Sequence, residues 1–156
     1  MKLFVISTLF TLTLFSTSVL ALATANTPCN GEAGSYFVNL SGEIGGFVAD
    51  TASVSNKVYL GKNTQICGQA EISQYAQITG NAIIKDHAKV YGRARVFGNA
   101  LVYDHAEVYD SASVWGNAKV YGHARIYGIA GLKDNVRVYG QARMYDATYG
   151  GNAVYF

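Results

Sequence analysis

Residues 88–147 read AKVYGR, ARVFGN, ALVYDH, AEVYDS, ASVWGN, AKVYGH, ARIYGI, AGLKDN, VRVYGQ and ARMYDA, one six-residue pattern written ten times. Counted back to Ala52, the pattern runs through sixteen consecutive hexads. The first position is Ala in thirteen of them, and the third is a large aliphatic residue in all sixteen, with Met144 counted among these. A small and a large apolar residue at such constant spacing predict two side chains that face a narrow interior.

The remaining positions of the hexad predict a corner. The fifth is usually Gly or Asp, and the sixth is often Asn, His or another polar residue. Because these residues tolerate positive φ and tight turns, each hexad predicts a short strand followed by a bend. A period of six with recurring glycine excludes a helix. It also excludes a transmembrane barrel, whose strands need about 9 to 11 residues between turns.

The pattern aliphatic-x-x-x-small-x, seen at residues 96–101 as VFGNAL, resembles the hexapeptide-repeat family over about two thirds of the chain. This resemblance implies an all-β fold, a single-stranded left-handed parallel β-helix or β-solenoid with three hexads per coil. The sixteen hexads would make about five to six coils. Many enzymes of the family carry Gly directly after the aliphatic residue. This chain has an aromatic residue there and moves Gly or Asp one place on.

We divide the chain into a signal peptide at 1–25, an N-terminal cap at 26–45 and a β-helix at 46–156. A long apolar run follows Lys2, and the small residues ALATA at 21–25 fit a signal-peptidase site with cleavage after Ala23 or Ala25. This leader predicts export to the periplasm or the exterior. An uncleaved membrane anchor is the alternative, since about 20 apolar residues span a bilayer.

The cap segment carries Cys29 and the early hexads carry Cys67, the two cysteines of the chain. In an oxidising compartment an even number of cysteines is compatible with one disulfide, which would tie the cap to the first coils. Two buried thiols are the alternative, because sequence spacing does not fix pairing geometry. The formal net charge is +2, a near-neutral balance that argues against a nucleic-acid partner.

Residues eighteen apart are expected to stack at the strand spacing of ~4.8 Å, which sorts the polar side chains into columns. One predicted corner is an amide ladder of Asn63, Asn81, Asn99, Asn117 and Asn135. Another holds Gln69, His87, His105, His123 and Gln141, and so all three histidines. An outer strand column alternates in charge through Glu71, Lys89, Glu107 and Arg125.

The histidine column supports two hypotheses. A metal or acid–base site could form beside Asp86 and Asp104, or the imidazoles could continue a polar ladder of residues that accept the corner conformation. We favour the ladder, because no Cys or Glu joins the column, and we assign neither a catalytic nor a metal-binding residue there.

Aromatic residues fill the fourth position of most hexads and predict three outward rows, since side chains alternate along a strand. The rows are Tyr91, Tyr109, Tyr127 and Tyr145; Phe97 and Trp115; and Tyr103, Tyr121 and Tyr139. Stacking within a row would stabilise the fold by about 0.5 to 1.5 kcal/mol per pair. The same tyrosines, with Trp115, are our candidate binding residues for a ligand surface.

Two functions fit these features. The first is an exported, non-enzymatic scaffold that binds a glycan, a cell surface or a protein partner, with a homo-oligomer as a candidate assembly. The second comes from the resemblance: many hexapeptide-repeat proteins are trimeric acyltransferases with a His base, here His87, His105 or His123. Uninterrupted hexads and predicted export favour the first. We predict no cofactor. Serine triads, phosphate loops and paired catalytic carboxylates are absent as recognisable motifs.

Overall fold

The computed structural model describes residues 27–156, which form an all-β solenoid. The predicted signal peptide at 1–25 lies outside the described residues, as does Asn26 at the start of the predicted cap. A single turn of 3-10 helix at Pro28–Gly31 precedes the first strand. Within residues 27–156, no helix is long and apolar enough to cross a membrane.

Residues 27–156 form twenty strands, arranged in three sheets that run along the solenoid. Sheet 1 contains β1 (Gly34–Val38), β2 (Ile44–Ala49), β5 (Gln65–Ile66), β8 (Ile83–Ile84), β11 (Leu101–Val102), β14 (Lys119–Val120), β17 (Arg137–Val138) and β20 (Val154–Tyr155). Sheet 2 contains β3 (Ser53–Val54), β6 (Glu71–Ile72), β9 (Lys89–Val90), β12 (Glu107–Val108), β15 (Arg125–Tyr127) and β18 (Arg143–Tyr145). Sheet 3 contains β4 (Tyr59–Leu60), β7 (Gln77–Ile78), β10 (Arg95–Val96), β13 (Ser113–Val114), β16 (Gly131–Leu132) and β19 (Thr148–Tyr149).

Successive coils pair in parallel with a register of eighteen residues, so that Val96 lies opposite Val114 and Arg95 opposite Ser113. The backbone N–H of Phe97 donates to the carbonyl of Val114 at 2.9 Å, and this bond recurs along the axis. Sheets 2 and 3 each hold six stacked strands. The predicted solenoid with three hexads per coil is therefore confirmed, while its left-handed sense stays a prediction.

The interior consists of the first and third positions of each hexad. Ala94, Val96 and their equivalents in the central coils are fully buried, with an exposed fraction of 0% for both residues. The narrow cross-section leaves room for one methyl where two walls meet and for one branched side chain in the centre. This confirms the interior that the sequence pattern predicts.

The corners explain why the fifth position is Gly or Asp. Gly98 has φ of 73°, and a Cβ there would lie 3.0 Å from the nitrogen of Gly116 in the next coil. Asp104 adopts φ of 57°, and its carboxylate accepts a hydrogen bond at 3.0 Å from the N–H of Gly122. Asp thus tolerates the left-handed conformation and also satisfies a backbone donor of the following coil.

The N-terminal end of the solenoid is closed by side chains and by an antiparallel strand. Strand β1 pairs antiparallel with β2 and covers the edge of sheet 1. At the edge of sheet 3, Leu60 donates its N–H to Asn39 Oδ1 at 2.9 Å and accepts from Asn39 Nδ2 at 2.9 Å. The buried amide of Asn39 replaces the backbone of a preceding coil. A disulfide joins Cys29 and Cys67, whose Cα atoms are 5.3 Å apart.

The six-residue repeat is one residue short near Ala147, but the coils stay stacked. Gly131 lies opposite Thr148 and Arg137 opposite Val154, a register of seventeen residues instead of eighteen. The missing residue falls at the corner, where the carboxylate of Asp146 accepts the N–H of Ile129 at 3.0 Å. Strands β18, β19 and β20 form the other edge of the three sheets.

Candidate functional site

The aromatic side chains lie in three separate rows, each at the end of a different sheet. The sheet 1 row contains Tyr103, Tyr121, Tyr139 and then Phe156. The sheet 2 row contains Tyr91, Tyr109, Tyr127 and Tyr145. The sheet 3 row is the pair Phe97 and Trp115. The structure therefore does not bring the eight candidate binding residues together on one surface.

Within each row the rings stack face to face. Tyr103 and Tyr121 have ring centroids 4.8 Å apart with 9° between the ring planes, and Tyr91 and Tyr109 are 5.0 Å apart at 3°. Most of these side chains are half-buried, although Tyr145 and Phe156, at the C-terminal ends of two rows, are exposed. Because the faces of the inner rings are covered by their neighbours, the middle of a row presents ring edges and hydroxyls to solvent.

Burial raises the pKa of several of these phenols. Burial, followed by the nearby negative charge of Glu107 and a hydrogen bond to it, raises the pKa of Tyr91 to about 12. The hydroxyl of Tyr91 donates to Glu107 Oε2 at 3.1 Å. Burial is also the main cause that raises the pKa of Tyr103 and of Tyr109 above the ordinary value. The phenols of Tyr91, Tyr103 and Tyr109 thus hold their protons tightly, and the tyrosine hydroxyls of the rows can donate or accept hydrogen bonds.

The sheet 1 row is closed at both ends. Lys85 Nζ lies 5.0 Å from the ring centroid of Tyr103, a cation–π contact at the N-terminal end. At the C-terminal end the ring of Phe156 lies 5.8 Å from that of Tyr139. The ring faces of Tyr103, Tyr121 and Tyr139 are covered on both sides, so a ligand would contact their hydroxyl edges, whereas Phe156 itself is exposed.

The predicted histidine corner follows the sheet 1 row directly. The imidazole of His105 stacks between those of His87 and His123, with centroid distances of 4.9 Å and 5.0 Å. All three side chains are exposed. Among residues 27–156, no three His, Cys, Asp or Glu side chains converge in a group that could hold a metal ion. The three imidazoles stack in one column along this corner.

The two aspartates beside the histidines are engaged elsewhere. Asp86 Oδ2 lies 3.0 Å from Lys85 Nζ and accepts from the N–H of Asp104 at 3.4 Å. The carboxylate of Asp104 accepts from the N–H of Gly122. Both carboxylates serve the stacking of coils, and neither orients an imidazole in the described chain. A His–Asp acid–base pair is not assembled here.

The outer column of sheet 2 borders the histidine corner on its other side. Lys89 Nζ lies 3.1 Å from Glu71 Oε2, and Arg125 lies 3.8 Å from Glu107 Oε1. Between this column and the corner runs an open groove. Its N-terminal part is lined by Thr51, Ser53, Gln69, Glu71, His87, Lys89 and His105, and its C-terminal part by His123, Arg125, Gln141 and Arg143.

One edge of the solenoid therefore combines three kinds of polar group. We call it the histidine edge and define it as the sheet 1 tyrosine row, the histidine corner and the outer column of sheet 2. The opposite corner, between sheets 3 and 1, is the predicted amide ladder, in which each Asn side chain donates to the next at 3.0 to 3.5 Å. Those amides use their donors and acceptors on each other. The histidine edge is the candidate site because the imidazoles of its corner have no side-chain hydrogen-bond partner in the described chain and are exposed to solvent.

Known family models, curated proteins and solved structures give no match to this chain. The resemblance to hexapeptide repeats is therefore carried by the sequence repeats alone. The function has to be inferred from the chemistry of the histidine edge.

Two pairs of like charges, one on sheet 2 and one on the adjoining sheet 1, were not predicted from the sequence. The alternating column of sheet 2 ends in Arg143, which lies opposite Arg125 in the parallel register. On sheet 1, Lys119 lies opposite Arg137. Both pairs are separated by eighteen residues, so the same stacking rule that predicted the alternating column would have found them.

Proposed function

We propose that this protein is exported and acts outside the cytoplasm as a rigid, non-enzymatic β-solenoid that binds a glycan or a partner at the cell surface through its histidine edge. The observation that carries this proposal is the continuity of the coils. Between Ser53 and Tyr145 a strand begins every six residues, with no inserted loop in this part of the described chain. An uninterrupted solenoid offers long, regular edges and grooves instead of an enclosed pocket.

The chemistry of the histidine edge supports binding over catalysis. The imidazole of His105 stacks between two neighbours, and the carboxylates of Asp86 and Asp104 accept from backbone N–H groups of the next coil. A catalytic base needs a second group that orients it and a reacting atom held in reach. A row of hydroxyls beside a row of imidazoles instead suits a ligand that is itself repetitive.

A pull-down on cell-wall and polysaccharide material tests the binding role. The mature protein is compared with a variant that carries Tyr103→Ser, Tyr121→Ser and Tyr139→Ser. The matched control carries Tyr91→Ser, Tyr109→Ser and Tyr127→Ser, which removes the same number of stacked rings from another edge. We expect the first variant to lose retention while the control keeps it. Equal retention of all three proteins would remove the sheet 1 row from the binding surface.

Cell fractionation tests the export role. The full chain, tagged at its C-terminus, is expected outside the cytoplasm and shortened at its N-terminus by cleavage after Ala23 or Ala25. Mass spectrometry of the purified protein measures this directly. A cytoplasmic protein with an intact N-terminus would contradict the proposal.

A further inference from the structure

The charge of the histidine edge changes along the solenoid. Its N-terminal half carries four acidic residues, Glu71, Asp86, Asp104 and Glu107. From Lys119 onward, the charged or imidazole side chains of sheet 1, the histidine corner and sheet 2 are Lys119, His123, Arg125, Arg137 and Arg143. The acids of this C-terminal half, Asp134 and Asp146, follow strands of sheets 3 and 2 and occupy the two other corners. The C-terminal half of the edge is therefore basic.

The basic residues are stacked in a way that opposes stability. Arg125 and Arg143 are direct neighbours in the parallel ladder of sheet 2, and Lys119 and Arg137 are neighbours in sheet 1. Like charges directly opposite each other destabilise a sheet. In the N-terminal half, by contrast, Lys89 contacts both oxygens of Glu71 at 3.1 Å. Arg125 keeps Glu107 as a partner at 3.8 Å on its other side, whereas Lys119, Arg137 and Arg143 form no ion pair in the described part of the chain.

The histidine corner also changes from aspartate to glycine in the C-terminal half of the solenoid. The fifth hexad position at this corner is Asp in the coils of His87 and His105, and Gly122 and Gly140 occupy it in the next two coils. The coils of His123 and Gln141 therefore add no carboxylate of their own at this corner, and the carboxylate of Asp104 in the preceding coil is bonded to the N–H of Gly122. The C-terminal part of the groove is lined by His123, Arg125, Gln141 and Arg143. Every lining residue is polar, and none is acidic.

We propose that this basic groove binds an acidic polysaccharide, a glycan whose sugars carry carboxylates. The inference rests on the proposed function and names its ligand class. The guanidinium groups of Arg125 and Arg143 can each hold a carboxylate with two parallel hydrogen bonds. The amide of Gln141 and the hydroxyls of Tyr121 and Tyr139 provide partners for sugar hydroxyls.

The geometry favours a polymer over a lipid surface. The stacked coils repeat the basic groups at the strand spacing of ~4.8 Å, which is comparable to the advance of one sugar along an extended glycan. A groove without an apolar lining residue offers nothing to insert into a bilayer. Exposed charges attract a polyanion from a distance but are screened by salt, so binding should weaken as ionic strength rises.

Affinity for polygalacturonate, with dextran as the neutral polymer, tests this proposal by titration calorimetry on the mature protein. The test variant carries Arg125→Gln and Arg143→Gln. The control carries Arg93→Gln and Arg95→Gln, the same loss of charge in a groove at another corner. We expect the test variant to bind polygalacturonate about tenfold more weakly at low salt, while the control keeps most of the affinity. An equal loss in both variants would show non-specific attraction and overturn the inference.

The remaining outcomes separate this inference from the proposed function. Binding to dextran with none to polygalacturonate would overturn the acidic ligand and leave a glycan-binding role. Binding to vesicles of phosphatidylglycerol and phosphatidylcholine, but to neither polymer, would replace the glycan by a lipid surface. Failure to bind any polymer, vesicle or cell-envelope material would overturn both proposals.

A single substitution provides an independent test. Arg143→Glu continues the alternation of charge in the outer column of sheet 2, because it places an acidic residue opposite Arg125 instead of a second basic one. We expect this variant to unfold at a higher temperature than the wild type and to lose affinity for polygalacturonate. A protein that is stabilised but binds unchanged would show that Arg143 takes no part in the groove. A variant that loses both stability and binding would show that Arg143 is needed for folding, which contradicts the argument from like charges.

Discussion

The asparagine corner and the histidine corner occupy equivalent places in the coil and repeat at the same spacing, yet they use their side chains differently. Asn99 accepts from Asn81 at 3.1 Å and donates to Asn117 at 3.1 Å, so its amide is satisfied within the ladder. His105 stacks on His87 and His123 through its ring faces. Its two nitrogens point to no hydrogen-bond partner in the described chain. One corner stabilises the fold, and the other stacks while its polar atoms stay available.

The largest expected effect comes from shifting one corner onto the other. Deleting residues 94–99 would move His105 into the column of Asn81 and break both ladders, together with every pair of coils downstream. We expect a loss of more than about 4 kcal/mol in the free energy of unfolding, beyond the usual range of point substitutions. Guanidinium unfolding followed by circular dichroism measures it.

Deleting residues 94–111 is the matched control for that shift. Eighteen residues make one coil, so the remaining columns stay aligned and the protein loses about the stability of one repeat. Equal destabilisation by both deletions would contradict the coil of three hexads.

A single amide in the asparagine corner has the next largest effect. Asn99→Ala removes two side-chain hydrogen bonds and leaves a donor on Asn81 and an acceptor on Asn117 without their partner. Because these groups are exposed to water, we expect a cost of about 0.5 to 1.5 kcal/mol. Thermal and denaturant unfolding of the variant give this value. No measurable change would show that the ladder contributes nothing beyond what water supplies.

The tyrosine row of sheet 2 provides a test that depends on pH. The pKa of Tyr91 is raised to about 12 in the folded protein against an ordinary value of 10.0. The folded state therefore holds its phenolic proton more tightly, and this contribution to stability, present below pH 10, is lost as the pH rises toward 12. Glu107→Gln removes the adjacent charge and should lower this pKa. Phenolate absorbance during alkaline titration measures it, with Tyr91→Phe assigning the signal.

The smallest effect is expected in the histidine corner itself. His105→Gln keeps a polar side chain of the type that flanks the column at Gln69 and Gln141, so we expect a change in stability within about 0.5 kcal/mol. Denaturant unfolding at neutral pH is the measurement. A loss as large as that of Asn99→Ala would show that the imidazole stack is as structural as the amide ladder, and the contrast between the two corners would disappear.

The regular part of the fold was predictable because one physical rule repeats in it. A six-residue period with Ala at the first position and an aliphatic residue at the third places both inside, and the eighteen-residue register then follows from three hexads per coil. The histidine, asparagine and aromatic columns were predictable for the same reason. The same rule would have predicted that Arg143 stacks on Arg125, since the two residues are eighteen apart.

The closure of the N-terminal end was not predictable in detail. The segment that contains Asn39 has no period, so nothing in its sequence indicates that this amide will replace the backbone of a missing coil at Leu60. The second role of the corner aspartates was also hidden. The positive φ at position 104 explains why this position is Asp or Gly. The hydrogen bond from Gly122 to the Asp104 carboxylate, however, forms only when the coils are stacked.

The different closure of the two ends gives the solenoid a direction of disassembly. At the N-terminal end a disulfide and the buried side chain of Asn39 hold the first coils to the cap, so fraying there requires breaking a covalent bond or burying unpaired backbone groups. At the opposite edge, β18, β19 and β20 each pair with only one neighbouring strand, as β1, β3 and β4 do at the cap, but the disulfide of the described chain lies at the cap. Hydrogen exchange should therefore be fastest in these three strands and slow progressively toward the cap. Pulling and proteolysis would release the coils in that same order, one at a time.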